Sequence, residues 1–148
     1  MKIWVDADAC PKAAKEILYR AAGRKRVLTI LVANLPLKVP KSKFVQTILV
    51  PGGFDVADEK ISSEANPGDL VITADIPLAA KIVEKSVMAL NPRGAVYGKD
   101  NIKEMLLMRN LKEELRSSGL DTGGPSAYSN QDKQAFANQL DKILNSQY

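Results

Sequence analysis

Apolar and polar positions along this chain follow two periods, and the switches between them divide it into strands and helices. Five short runs rich in β-branched residues read as strands: Lys2–Asp6, Val27–Ala33, Phe44–Val50, Asp69–Thr73 and Ser86–Leu90. Between the first two, Ala14, Ile17, Leu18 and Ala21 recur at helical spacing; Pro11 suits the first turn of that helix and Gly23 its end. A second helix is expected from Val56 to about Ala65 with Asp55 as N-cap. A third runs from Ile76 to about Lys85, with Asp75 at its cap position and Pro77 in its first turn. Asn91-Pro92-Arg93-Gly94 reads as a turn ahead of a long helix from about Asp100 to Arg116. The stretch GLDTGGPSAY (119–128) is a glycine-rich loop. A last helix over about 129–146 has Ser129 as N-cap, Asp132 three residues on, and Phe136, Leu140, Ile143 and Leu144 on its apolar face.

Strands alternating with helices predict an α/β fold, a three-layer sandwich around a mostly parallel sheet of about five strands with right-handed crossovers. Leu70-Val71-Ile72 has no polar alternation, which marks a buried central strand. The 148 residues fit one domain, with no repeat, no low-complexity segment and no composition shift that would place a boundary.

This topology gives the acidic residues a meaning. In open α/β sheets ligands bind beyond the carboxyl ends of the strands. Asp6 and Asp8 lie at that end of the first strand and Asp75 at that end of the fourth. If the strand stays extended, Asp6 and Asp8 share one face. Carboxylates gathered without a cation repel until one takes a proton; a divalent ion removes that penalty and lowers the pKa of bound water. Asp55 and Asp58, in GGFDVADEK, are natural additions because they open the second helix. Asp55, Asp58 and Asp75 also stand where helices favour acidic caps, an arrangement worth about 1 kcal/mol with no function attached. Asp6 gains nothing structural by closing an apolar strand, so Asp6 and Asp8 carry the functional reading.

Composition narrows the chemistry further. Without histidine there is no Ser-His-Asp triad, Cys-His pair or His-ligated zinc, and with Cys10 the only cysteine there is no intrachain disulfide or Cys cluster. A metal here rests on oxygen ligands, which suit magnesium, manganese or calcium. No apolar run approaches the roughly 20 residues that span a bilayer, and aspartates interrupt the apolar start, so a cytoplasmic protein without a membrane segment is the expectation. A net charge of +4 is compatible with a polyanionic partner.

Asn34 ends the second strand, where it could orient a substrate or simply make the turn to Pro36. Lys38, Lys41 and Lys43 follow in a Pro-punctuated loop that could track a phosphate backbone or merely be solvated. Arg93 follows the fifth strand and suits bidentate phosphate binding, with a surface turn as its plain alternative. Thr122-Gly123-Gly124-Pro125 could wrap a phosphate but lacks the Walker A ending, and a linker is the simpler reading. Cys10 stands at a helix N-terminus without a usual general base, which favours a structural role.

VDADACP (5–11), LVAN (31–34), GGFDVADEKI (52–61), GDLVITADIPLA (68–79), ALNPRG (89–94) and TGGP (122–125) together resemble the UPF0178, or YaiI/YqxD, family over essentially the whole chain. That family has no established biochemical function. It looks in turn like a branch of the PIN-like superfamily, whose members gather acids at the sheet edge, bind magnesium or manganese, and commonly cut RNA or process DNA. The resemblance implies that Asp6 is the first-strand acid, that Asp75 in the Thr73-Ala74-Asp75 step is the acid after the central strand, and that Asp58 opens the intervening helix. Asp8 is an addition to that pattern, and Asp100 is the nearest candidate for a further acid.

The leading expectation is therefore a hydrolase of phosphodiester bonds acting on RNA or another phosphate-bearing substrate. Asp6, Asp8, Asp58 and Asp75 would hold Mg²⁺ or Mn²⁺, with Asn34, Thr73, Arg93 and Lys41 near the substrate. Two alternatives stand beside it. Asp6-Ala7-Asp8 imitates the start of a haloacid-dehalogenase-like phosphatase, although no acidic pair closes a late strand. A module that binds nucleic acid or a nucleotide without turnover is the other.

Overall fold

The structure is a computed structural model, and it describes residues 1–53, 55–120, 123–124 and 126–147. The strands are β1 (Lys2–Asp6), β2 (Leu28–Ala33), β3 (Val45–Leu49), β4 (Leu70–Ile72), β5 (Met88–Leu90) and β6 (Val96–Tyr97). The helices are α1 (Lys12–Lys25), α2 (Val56–Glu64), α3 (Ile76–Glu84), α4 (Ile102–Ser117) and α5 (Asn130–Gln147). They form an α/β sandwich around one sheet of order β3-β2-β1-β4-β5-β6. All neighbours pair in parallel except β5 with β6. The sheet thus has six strands rather than about five. The added β6 is a two-residue antiparallel edge, too short for a periodic signal.

Side-chain parity along β1 sorts the two cores. Ile3 and Val5 face a cluster with Ala14, Leu18 and Ala21 of α1 and Phe136, Leu140 and Leu144 of α5. Trp4 faces the opposite cluster, with Ile61 of α2, Leu78 and Ile82 of α3 and Ile102 of α4. Full burial of a Leu or Phe side chain contributes about 1.5–3 kcal/mol, so the apolar stripe of α5 accounts for much of its attachment. The link from β2 to β3 is the proline-punctuated loop rather than a helix, and Leu37, Val39 and Phe44 fold over the first cluster.

Two polar residues bracket the wholly apolar β4. Asp69, buried at the amino end, accepts from the backbone N–H of Lys2 (3.0 Å), the Trp4 indole (3.3 Å) and the N–H of Asn66 (3.1 Å). Thr73, buried at the carboxyl end, donates its hydroxyl to Asp6. Together they tie β4 to β1 at both ends.

Both ends of α1 differ from the sequence expectation, for Pro11 is its N-cap and not a residue of its first turn. Gly23 lies inside α1, and Arg26 closes the helix in the left-handed conformation (φ 53°), returning its N–H to Ala22. Asp75 does cap α3, accepting from Leu78 N–H at 3.1 Å. Ser129 and Asp132 exchange hydrogen bonds at 2.9 and 3.1 Å and start α5 as a capping box. Gly94 sits at φ 100° in the turn before β6, and a Cβ there would come within 2.8 Å of Ala135 in α5. Only glycine permits both that backbone and that approach. No helix among the described residues is long and apolar enough to cross a membrane.

Candidate metal centre

The strand order reverses between β1 and β4. The chain leaves β1 for β2 and β3 on one side and returns to β4 on the other, which opens a crevice at the carboxyl ends of the central pair. Asp6, at an even position, shares the face of Trp4, and α2 and α3 cover that face. Both helices begin at the same edge, bringing Asp58 in the first turn of α2 and Asp75 at the cap of α3 over Asp6. One carboxylate oxygen from each of Asp6, Asp58 and Asp75 lies within 4.8 Å of the other two.

Each acid is held differently. Asp6 is 7% exposed and accepts the Thr73 hydroxyl at 3.0 Å. That hydroxyl oxygen in turn accepts the N–H of Asp75 at 2.9 Å, so one side chain spans two of the three acids. The Thr73 carbonyl accepts from the Tyr97 hydroxyl, which accepts from the Asn91 amide at 2.7 Å; these supporting residues were not anticipated from sequence. Asp75 combines both readings proposed for it, helix cap and member of the trio. Asp58 is half-buried in the first turn of α2.

Among the described residues no Lys or Arg forms an ion pair with these carboxylates. Burial, and then the Asp75 and Asp6 charges, push Asp58 up to about 7; its proton is also shared by hydrogen bond with Asp75. Asp6 is raised too, by burial first and by Asp75 and Asp8, against the lowering effect of the Thr73 hydroxyl. Oxygens on opposite sides of Mg²⁺ stand about 4.2 Å apart, and around Ca²⁺ up to about 5 Å. The trio's spacing and all-oxygen chemistry therefore fit a hard divalent cation after small side-chain adjustments.

The other expected site residues fall in several places. Asp8 does not share the face of Asp6. The chain enters a 3-10 turn (Ala7–Ala9) that buries Ala7 and returns the Cys10 N–H to Ala7, so the extended geometry assumed for Asp6-x-Asp8 ends at Asp6. Asp8 is exposed and accepts the Asn34 N–H at 2.8 Å. Asn34 lines a cleft of about 230 Å³ with Asp55, Asp58 and Asp75. Asp55 takes the N-cap place of α2 with a left-handed backbone (φ 64°) and no side-chain cap bond. Arg93 is not available as a free phosphate ligand: its guanidinium binds Asp132 at 2.8 Å and the carbonyl of Ser126, and lies over the Tyr128 ring. The physical reason is local, because the turn after β5 abuts the start of α5. Lys41 is exposed in the loop between β2 and β3, and Asp100 stands outside the trio. Thr122 and Pro125 of the TGGP segment lie outside the described residues. Burial pushes the Cys10 thiol up to about 12, an unreactive side chain.

One further residue went unforeseen. Arg109 of α4 lines a cleft of about 280 Å³ that opens on Asp6 and Asp75. The sequence signal was present only as a basic spacing, Arg109, Lys112 and Arg116, within an otherwise mixed helix.

The fold and site define an α/β protein with an acidic trio at its topological switch point. Residues 4–146 match the family described as Uncharacterized BCR, YaiI/YqxD family, and the chain belongs to it. It is 62% identical to a UPF0178 protein of Maridesulfovibrio salexigens, with 97% of this chain and 95% of the relative aligned. UPF0178 proteins of Dechloromonas aromatica and Hahella chejuensis are 58% and 56% identical, each with 97% of this chain and 96% of the relative aligned. No solved structure is a significant match.

Proposed function

We propose that the chain is a divalent-metal-dependent phosphodiester hydrolase of PIN-like type, acting on RNA in preference to DNA, with Asp6, Asp58 and Asp75 as the ligands of Mg²⁺ or Mn²⁺. The observation that carries this reading is the convergence of three carboxylates without a cationic partner at the switch point, two of them raised in pKa. A structural protein has no use for that repulsion. A cation held there would supply an acidified water and charge neutralisation at a phosphodiester.

The chain's own residues divide the remaining work. Asp6 is the fixed ligand, since Thr73 and the surrounding core hold its rotamer. Asp75 is anchored through its cap bond. Asp58 is the group that exchanges a proton for the cation. Asn34 and Arg109 line two clefts that share Asp75, where a phosphate-bearing strand would rest. Asp8 orders the turn beside the site rather than acting as a ligand. Asp8 accepts the Asn34 N–H, so the phosphatase reading, with Asp8 as the acid/base partner of Asp6, has less support than the metal reading.

The test is Mn²⁺-dependent cleavage of a mixed RNA pool by wild type and Asp6→Asn. Asparagine still accepts the Thr73 hydroxyl, so the fold is retained while a charged ligand is lost. Cleavage by the wild type alone is expected. Activity that persists in Asp6→Asn would remove the proposed site, and salt-sensitive RNA binding without turnover would favour a binding module.

A further inference from the structure

Two clefts meet at Ile76 and Arg109. The first opens on Asp6 and Asp75; the second, of about 360 Å³, continues along α4, with Met105 and Met108 on its wall and Lys112 and Arg116 beyond. Because the clefts share Ile76 and Arg109, they form one groove leading away from the acidic trio. Its floor is apolar, and the lining of the second cleft carries three exposed cations and the carboxylate Glu104. Among the described residues Arg109 donates to the neutral Asn110 side chain, and Arg116 pairs with Glu113 at 3.7 Å. Arg109, Lys112 and Arg116 are spaced by three and four residues, so they share one helix face.

We infer that this groove binds one strand of single-stranded nucleic acid and leads it to the carboxylates; the inference rests on the proposed hydrolase and names how its substrate is held. From Arg109 to Arg116 is about 10 Å of helix, long enough for its cations to meet successive phosphates of one strand. Cations along one rim with an apolar wall match a strand whose phosphates lie on one side and whose unpaired bases lie on the other. Met105 and Met108 suit bases of any identity, because thioethers are adaptable and contact aromatic rings favourably. The groove therefore reads backbone and ring faces rather than sequence. Its charge also answers the trio's: the cations draw a polyanion towards carboxylates that would otherwise repel it.

The other occupant to consider is a second copy, since Leu107, Met108 and Leu111 are 68%, 48% and 47% exposed. The excess of positive charge along the rim disfavours burying this face against its own copy and favours a polyanion.

The experiment measures binding of a labelled single-stranded oligoribonucleotide by fluorescence anisotropy over about 50–200 mM salt, with EDTA present so that cleavage does not intervene. Wild type is compared with Arg109→Gln/Lys112→Gln/Arg116→Gln. A second triple, Lys12→Gln/Lys15→Gln/Lys38→Gln, removes the same charge from a separate basic cavity beside Tyr19. Loss of three phosphate contacts flattens the log K against log salt slope by about 2 and weakens binding about a hundredfold near 0.1 M salt. That result is expected for the α4 triple, with the α1-side triple close to wild type and a blunt duplex bound more weakly than the single strand. The inference is overturned by equal slopes for wild type and the α4 triple, by loss confined to the α1-side triple, or by a duplex that binds as well. It is equally overturned if wild type shows no salt-dependent binding, or forms a dimer that Met108→Glu dissociates. Binding lost in the α4 triple while wild type never cleaves RNA keeps the groove and removes the hydrolase; cleavage and binding both retained in the α4 triple do the reverse.

Discussion

Asp58→Asn is expected to make the metal-free protein more stable at alkaline pH while removing its affinity for divalent cations. The folded site holds the Asp58 proton up to a pKa of about 7 against an ordinary 3.8. The stabilising contribution of that proton is therefore fully present below 3.8, declines as pH rises, and is gone above about 7, because the folded state binds more protons than the unfolded state across that window. At about 1.4 kcal/mol for each pH unit the gap sets an upper bound of about 4 kcal/mol. Asp58 is half-buried, and solvent screening brings the figure to roughly 1–2 kcal/mol. Asparagine carries no charge and can donate to Asp75 as the protonated acid does. The variant should match wild type near pH 4 and exceed it by roughly 1–2 kcal/mol at pH 8 in EDTA, a rise in Tm of about 3–6 °C for a chain of this length. Adding Mn²⁺ at pH 8 reverses the order, since a ligand at a hundredfold its Kd stabilises the folded wild type by about 2.7 kcal/mol and leaves the variant unmoved. Thermal melts at both pH values, with and without Mn²⁺, decide it. Equal stability of the two proteins at pH 8 in EDTA, or the same advantage at both pH values, would refute the electrostatic account.

Thr73→Val removes the hydroxyl that joins Asp6 to the Asp75 N–H. A loss of about 1–3 kcal/mol in urea denaturation is expected, with weaker Mn²⁺ binding by calorimetry, since both acids lose a common support. Arg93→Ala separates the turn after β5 from the start of α5, and should cost about 1–2 kcal/mol while leaving any RNA cleavage at the wild-type rate. A large loss of cleavage with unchanged stability would return Arg93 to a substrate-binding role.

How far the sequence reached depended on whether a residue's fate was settled nearby. β1 was legible to the residue because an apolar run ends abruptly on a carboxylate, and α3 because Asp75 and Pro77 mark its first turn. The apolar stripe of α5 was legible for the same reason, and Phe136, Leu140, Ile143 and Leu144 are all buried. Gly23 misled because a glycine inside a helix costs about 1 kcal/mol, which packing outweighs, and Arg26 proved able to take the left-handed position. Asp8 misled because periodicity assumes that a strand continues until something stops it, and the 3-10 turn leaves no mark in the alternation. Arg93 and Arg109 were settled at long range, one by Ser126 and Asp132, the other by the way α4 crosses α3. No local pattern encodes such partners. Asp6, Asp58 and Asp75 meet because strand ends and helix starts share one edge; topology pointed to Asp6, and for Asp58 and Asp75, equally readable as helix caps, the family resemblance was needed.

The pairing of Asp69 with Thr73 bears on how faithfully the chain finds its native alignment. Leu70, Val71 and Ile72 are each fully buried, so their greasiness gives no preference among offsets against β1. A slip of β4 would still cover its apolar side chains, yet it would strand the Asp69 carboxylate away from Lys2 and Trp4 and leave Asp6 without the Thr73 hydroxyl. Each orphaned buried group is penalised by about 1–3 kcal/mol, enough to make misaligned conformers rare. Asp69, remote from any chemistry, thus serves as a proofreading mark for the far end of the sheet, and its replacement by asparagine or alanine should show first as heterogeneous refolding.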